Sequence, residues 1–131
     1  MANPNILGAT TVNGVTTYYT PSGTSAVVLL PNAASSGHVY KINNVVVSNV
    51  DGTNAVNATV AIYSNGSVAQ GSAPSGGTAY AIISTVSVPA NASLIAVDKT
   101  TSFYLQEGTS ISITSGTANK LVFTVSYDDI S

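Results

Sequence analysis

The sequence has no cysteine, no tryptophan and no arginine, one histidine, and only three lysines and five acids among 131 residues. Each shortage removes a class of chemistry. Without cysteine there can be no disulfide, no thiolate nucleophile and no cysteine-ligated metal. Three scattered lysines do not make the basic footprint that a phosphate backbone requires, so neither DNA nor RNA is an expected partner. His38, in Ser35-Ser36-Gly37-His38, has no Gly-x-Ser-x-Gly, phosphate-loop or zinc motif beside it. It is read as structural or solvent-facing, and the chain as non-enzymatic and without a cofactor. The start, Met1-Ala2-Asn3-Pro4-Asn5, lacks the basic and apolar regions of a secretory signal. The most apolar stretch, about residues 79–97, is interrupted by Ser, Thr, Pro89 and Asn91, which argues against a membrane-spanning helix. The expectation is a soluble protein with no membrane partner.

What is present is neutral polarity. Charged residues make up 6% of the chain, against about 25% in ordinary soluble domains. Instead there are 18 serines, 16 threonines and 12 asparagines. No charged side chain precedes Lys41, and none lies between Asp51 and Asp98. A net charge of −2 gives copies of the chain little mutual repulsion, so specific association is expected.

Short runs of Val, Ile, Thr and Tyr alternate with Gly, Asn, Ser and Pro, and no helical period is visible. This predicts a single-domain, all-β antiparallel sandwich, jelly-roll-like, of nine or ten strands over residues 1–131. Asn13-Gly14 is a strong turn signal and predicts a hairpin between Ile6–Val12 and Val15–Thr20. Ser25–Leu30 reads as a strand ended by Pro31. Val39–Val50 has apolar residues on both faces, which predicts a central strand with a bulge at Asn43-Asn44. Val56, Ala58, Val60 and Ile62 should face inward, with Asn57, Thr59, Ala61 and Tyr63 outward. A second stripe runs through Tyr80, Ile82, Ser84, Val86 and Val88. The remaining strands are placed near residues 93–97, 103–106, 109–114 and 120–127. Residues 65–77 have no periodicity and are read as a flexible loop.

The five acids carry little chemical signal. Asp51-Gly52, Asp98-Lys99 and Glu107-Gly108 stand at turn signals, and Asp128-Asp129 close the last strand. A glycosidase would need two acids facing each other across a cleft, which no local motif indicates. The Asp-x-Asp-x-Asp-Gly calcium loop is absent, and no metal is expected. Tyr18 and Tyr19 are adjacent in a strand and point to opposite faces, so they cannot form one sugar-binding platform.

Val39-Tyr40-Lys41-Ile42-Asn43-Asn44-Val45-Val46-Val47-Ser48-Asn49-Val50-Asp51-Gly52-Thr53-Asn54 is the longest segment that resembles a known family. Residues 84–94, Tyr104-Leu105-Gln106-Glu107-Gly108 and Val125-Ser126-Tyr127-Asp128-Asp129-Ile130 resemble it as well. The family is that of small β-sandwich virion structural proteins of tailed bacteriophages, marine and cyanophage-like ones in particular. The resemblance implies a virion protein made in the host cytoplasm, foremost a capsid decoration (cement) protein that stabilises the head. Its expected partners are itself, as a homotrimer, and the major capsid protein or another virion protein. A neck, tail or fibre-attachment protein, or a carbohydrate-binding adhesin-like module, is the alternative. Residues 1–11 precede the resemblance, carry no charge, and are read either as an N-terminal arm contacting a neighbour or as the first strand of the domain's own sheet. In the arm reading, Asn5, Ile6 and Leu7 are the candidate assembly contacts.

Overall fold

The computed structural model describes residues 4–131. Nine strands form an all-β sandwich, as the sequence predicts. They are β1 (Val12–Tyr19), β2 (Val27–Asn32), β3 (Val39–Asn49), β4 (Val56–Tyr63), β5 (Ala79–Val88), β6 (Ser93–Val97), β7 (Phe103–Leu105), β8 (Thr109–Ser115) and β9 (Leu121–Ile130). One sheet has the order β1-β9-β3-β6, with β7 also paired to β3; the other has the order β2-β8-β4-β5. All pairings are antiparallel. Successive strands cross repeatedly between the sheets, and the first and last strands pair side by side.

The core fills the space between the sheets. Phe123, Ile42, Leu105, Ile111, Ile113 and Leu29 are fully buried there. β3 shows how the sequence achieves this. Its register against β9 shifts between Ile42 and Asn44, at the expected bulge. One extra residue there allows Ile42, Val45 and Val47 all to be buried, which strict alternation would forbid. β3 lies between β9 on one side and β6 and β7 on the other, so its backbone is paired along both edges, while its core face carries Val39, Ile42, Val45 and Val47.

Three local expectations are overturned. Asn13-Gly14 does not turn: β1 runs straight through it, paired with β9 from Val12↔Ile130 to Tyr19↔Phe123. A local hairpin would forfeit this continuous ladder, which also packs Val15 and Tyr19 against the core. Pro31 does not end β2 but lies within it, opposite Ser110. β2 is an edge strand, where the missing N–H of proline is tolerated. Ala61 and Tyr63 are not outward and open but buried, 3% and 8% exposed, although neither belongs to the central core.

Residues 64–78 explain the burial of Tyr63. Tyr63 Oη donates to the Gly77 carbonyl and accepts from the Gly77 N–H, and Ser110 Oγ donates to the Asn65 carbonyl. Further along, Gly71 N–H donates to the Val28 carbonyl and Val28 N–H donates to the Ser72 carbonyl, at 2.8 and 2.9 Å. The segment thus covers part of the β2 edge. Gly66 is required by this approach, because a Cβ there would lie 2.1 Å from the Asn32 carbonyl oxygen. The stripe expected on β5 is broken by register shifts opposite Ala58–Ala61. Thr85 takes the left-handed φ of +48° beside one shift, and its N–H donates to Thr59 Oγ1.

Two buried asparagines link the sheets. Asn32, at the end of β2, donates to the carbonyls of His38 and Leu105 and accepts from Ser36 Oγ. Asn49, at the end of β3, donates to the carbonyls of Asn54 and Val88 and accepts from Asp51 N–H. Asn49→Ala would strand two buried backbone groups, the Val88 carbonyl and the Asp51 N–H, at a cost of about 1–3 kcal/mol each before relaxation. The expected outcome is a loss of at least about 2 kcal/mol in urea denaturation, with the m-value unchanged. A loss below about 0.5 kcal/mol would refute the bridging role.

Candidate functional site

Asn5–Ala9 forms a small self-contained turn ahead of β1. Asn5 is extended, with φ −73° and ψ 118°, and its Oδ1 accepts from Leu7 N–H at 3.1 Å. Gly8 N–H then donates to the Asn5 carbonyl and Ala9 N–H to the Ile6 carbonyl, closing the 3-10 turn Ile6–Gly8. This is the ordinary capping chemistry of asparagine. Two residues further on, the chain is tied to its own C-terminus. Thr10 and Thr11 N–H both donate to the Ser131 carbonyl, and Ser131 N–H donates to the Thr11 carbonyl.

The three candidate contact residues therefore sit together, with distinct roles. Asn5 shapes the turn, while Ile6 and Leu7 are displayed by it, 49% and 97% exposed. Neither strand pairing nor the core uses them. They are also not the first strand of a hairpin, which settles that alternative for Asn5–Gly8. Residues 1–3 of the proposed arm lie outside the described residues.

Part of the outer face of the β1-β9-β3-β6 sheet carries a neutral row. The registers align Tyr18, Thr124, Val46 and Ile95 in one row across four strands. Tyr18 and Ile95, at its ends, are 69% and 63% exposed. Val12, next to the anchoring Thr11, is exposed as well. Sequence reading did not find this row, because it depends on registers between strands far apart in the chain.

The charged groups are mostly turned to the fold's own use. Asp51 Oδ1 accepts from Thr53 and Asn54 N–H, and Asp98 Oδ1 from Thr100 and Thr101 N–H. Glu107 Oε1 accepts from Gly37 N–H. His38 Nδ1 lies 2.6 Å from Asp129 Oδ1, a hydrogen bond and the one contact within 4 Å between a basic and an acidic side chain among the described residues. Beside it the Tyr40 and Tyr127 rings pack at 4.8 Å. Burial, with the nearby Asp129 charge, pushes both phenols above their ordinary range. His38 thus has a structural partner that the sequence did not reveal. No group of three or more His, Cys, Asp or Glu able to hold a metal occurs among the described residues. No helix among them is long and apolar enough to cross a membrane.

The site and fold define an all-β sandwich with an exposed, uncharged apolar turn. No family model matches the chain, and no curated protein does. Among solved structures the chain is similar to one described as "Bacillus endospore appendages form a novel family of disulfide-linked pili". The identity is 21%, over 92% of this chain and 87% of that one, with a TM-score of 0.45.

The carboxylates give a pH dependence with a definite sign. The backbone N–H groups of Thr53 and Asn54 hold Asp51 below the usual carboxylate range; for Asp98 the Thr100 hydroxyl does so first, then backbone N–H groups. Both folded-state values lie below the unfolded ones, so the stability they supply is present above about pH 4 and is lost as pH falls further. Melting temperature should therefore fall below about pH 4. Asp51→Asn should flatten that acid limb; an unchanged limb in the variant would contradict the assignment.

Proposed function

We propose that this chain is a non-enzymatic structural subunit of a tailed-phage virion, and that its role there is capsid decoration. The observation that carries the assembly reading is Leu7, 97% exposed on a turn built by its own asparagine cap. A leucine held out in water by an ordered turn loses about 2 kcal/mol of burial energy that a partner surface would restore. The neutral row from Tyr18 to Ile95 supports the same reading, since a row without charge can be covered by a neighbour at no cost in ion desolvation. The virion assignment itself rests on the resemblance of residues 39–131 to phage structural proteins.

In this reading the subunit acts as a homotrimer seated on the major capsid protein, with the turn at Asn5–Gly8 inserted into the partner. The order in which the strands alternate between sheets is read as jelly-roll-like, a fold that viral shells use. A trimer places three copies of Leu7 on one platform, so a weak single contact is multiplied.

Cryo-electron microscopy of the purified particle should locate this chain on the head with its N-terminal turn facing the shell. Leu7→Asp should leave the melting temperature within about 2 °C, because Leu7 touches no core residue, and should weaken particle binding at least about tenfold. A location at the neck or tail would replace the decoration role. Undiminished binding by the variant would remove the turn from the contact.

A further inference from the structure

Eight side chains carry formal charge, and the fold itself uses five. Asp51 and Asp98 accept the N–H groups of their own loops, Glu107 accepts from Gly37 and Asp129 pairs with His38. Lys120 acts electrostatically on Asp51. The three that remain are Lys41, Lys99 and Asp128. They line one open depression of about 470 Å³, together with Asn43 and Ser102. None of the three has an opposite charge within 4 Å among the described residues.

The fold brings them together from three places. Lys41 and Asp128 are register partners on β3 and β9. Asn43 stands at the β3 bulge, which turns it toward the depression instead of the core. Lys99 and Ser102 come from the β6–β7 loop. Asp98 is held by Thr100 and Thr101 of that loop, which leaves Lys99 as its outward charge. Tyr104, opposite Lys41 in the register of β7, is 47% exposed next to this group.

The lining chemistry selects a ligand class. Two ammonium groups, an amide and a hydroxyl supply donors, while ionised Asp128 only accepts. A bare anion would meet the lysines but be repelled by Asp128. A neutral sugar would satisfy Asp128 through its hydroxyls and leave both lysines unused. A ligand with a carboxylate and neighbouring hydroxyls on one ring uses every group, and the exposed Tyr104 offers a flat surface to that ring. We propose that the depression between β3, β9 and the β6–β7 loop binds a carboxylate-bearing sugar of the hexuronate class. The inference is independent of virion location.

Titration of the isotope-labelled full chain with sodium glucuronate, followed by amide chemical shifts, tests this. Glucose, sodium sulfate and glycine are titrated in parallel at matched ionic strength. Saturable shifts at Lys41, Asn43, Lys99, Ser102 and Asp128 are expected with glucuronate, with the other three at least about tenfold weaker. Lys99→Gln, in an exposed loop that it does not build, should weaken glucuronate about tenfold at unchanged melting temperature. Asp128→Asn should narrow the preference for glucuronate over sulfate. Sulfate binding as tight as glucuronate, glycine binding tightest, or no saturable shift at these residues would each overturn the proposal.

Discussion

Two neutral amide side chains, not ions, tie the two sheets of the sandwich together. Asn32 and Asn49 stand near opposite ends of β3, and each bonds backbone carbonyls of the facing sheet or of the loops that connect to it. A carboxamide suits this task because it offers two donors and an acceptor without the desolvation penalty of a buried charge. Asn32 also lends its own carbonyl to Gly108 N–H, so the β2–β3 and β7–β8 connections meet on one residue. The scarcity of charge is therefore consistent with the interior, where buried polar groups are satisfied by amides, hydroxyls and backbone.

The same economy shapes the exterior. Sheet edges expose unpaired backbone, and proteins commonly protect them with lysine, proline or bulges. Here β2 carries Pro31 and is covered by Gly71 and Ser72, while β5 is bent by register shifts and by Thr85. Residues 53–97 contain no charge, so geometry performs the protection. What is left outward is neutral, except for the Lys41, Lys99 and Asp128 group. A surface of this kind discriminates partners by shape and hydrogen bonding rather than by long-range attraction.

Much of this was legible in the sequence, for identifiable reasons. Strand positions follow from period-two alternation, and the bulge in β3 follows from apolar residues changing parity at Asn43-Asn44. The Asn13-Gly14 hairpin failed because turn propensity is local, whereas the competing ladder pairs β1 with the chain's last strand. Tyr63 was misplaced because alternation reports the face of a sheet, not whether a connection folds over it. Asn5, Ile6 and Leu7 were singled out by position and neutrality, and the asparagine-capped turn that exposes Ile6 and Leu7 was not foreseen. The Lys41, Lys99 and Asp128 group was out of reach, since it exists only through the β3–β9 register and the β6–β7 loop.

This fold satisfies its buried polar groups internally and leaves a largely neutral exterior, on which the proposed association with protein rests. Sedimentation velocity of the purified full chain over a wide concentration range, at low salt and again at about 1 M salt where the Debye length is about 3 Å, tests it most directly. The account predicts concentration-dependent association that persists or strengthens at high salt, because apolar and backbone contacts are not screened. Association that dissolves on adding salt, or a monomer at every concentration and salt, would contradict it.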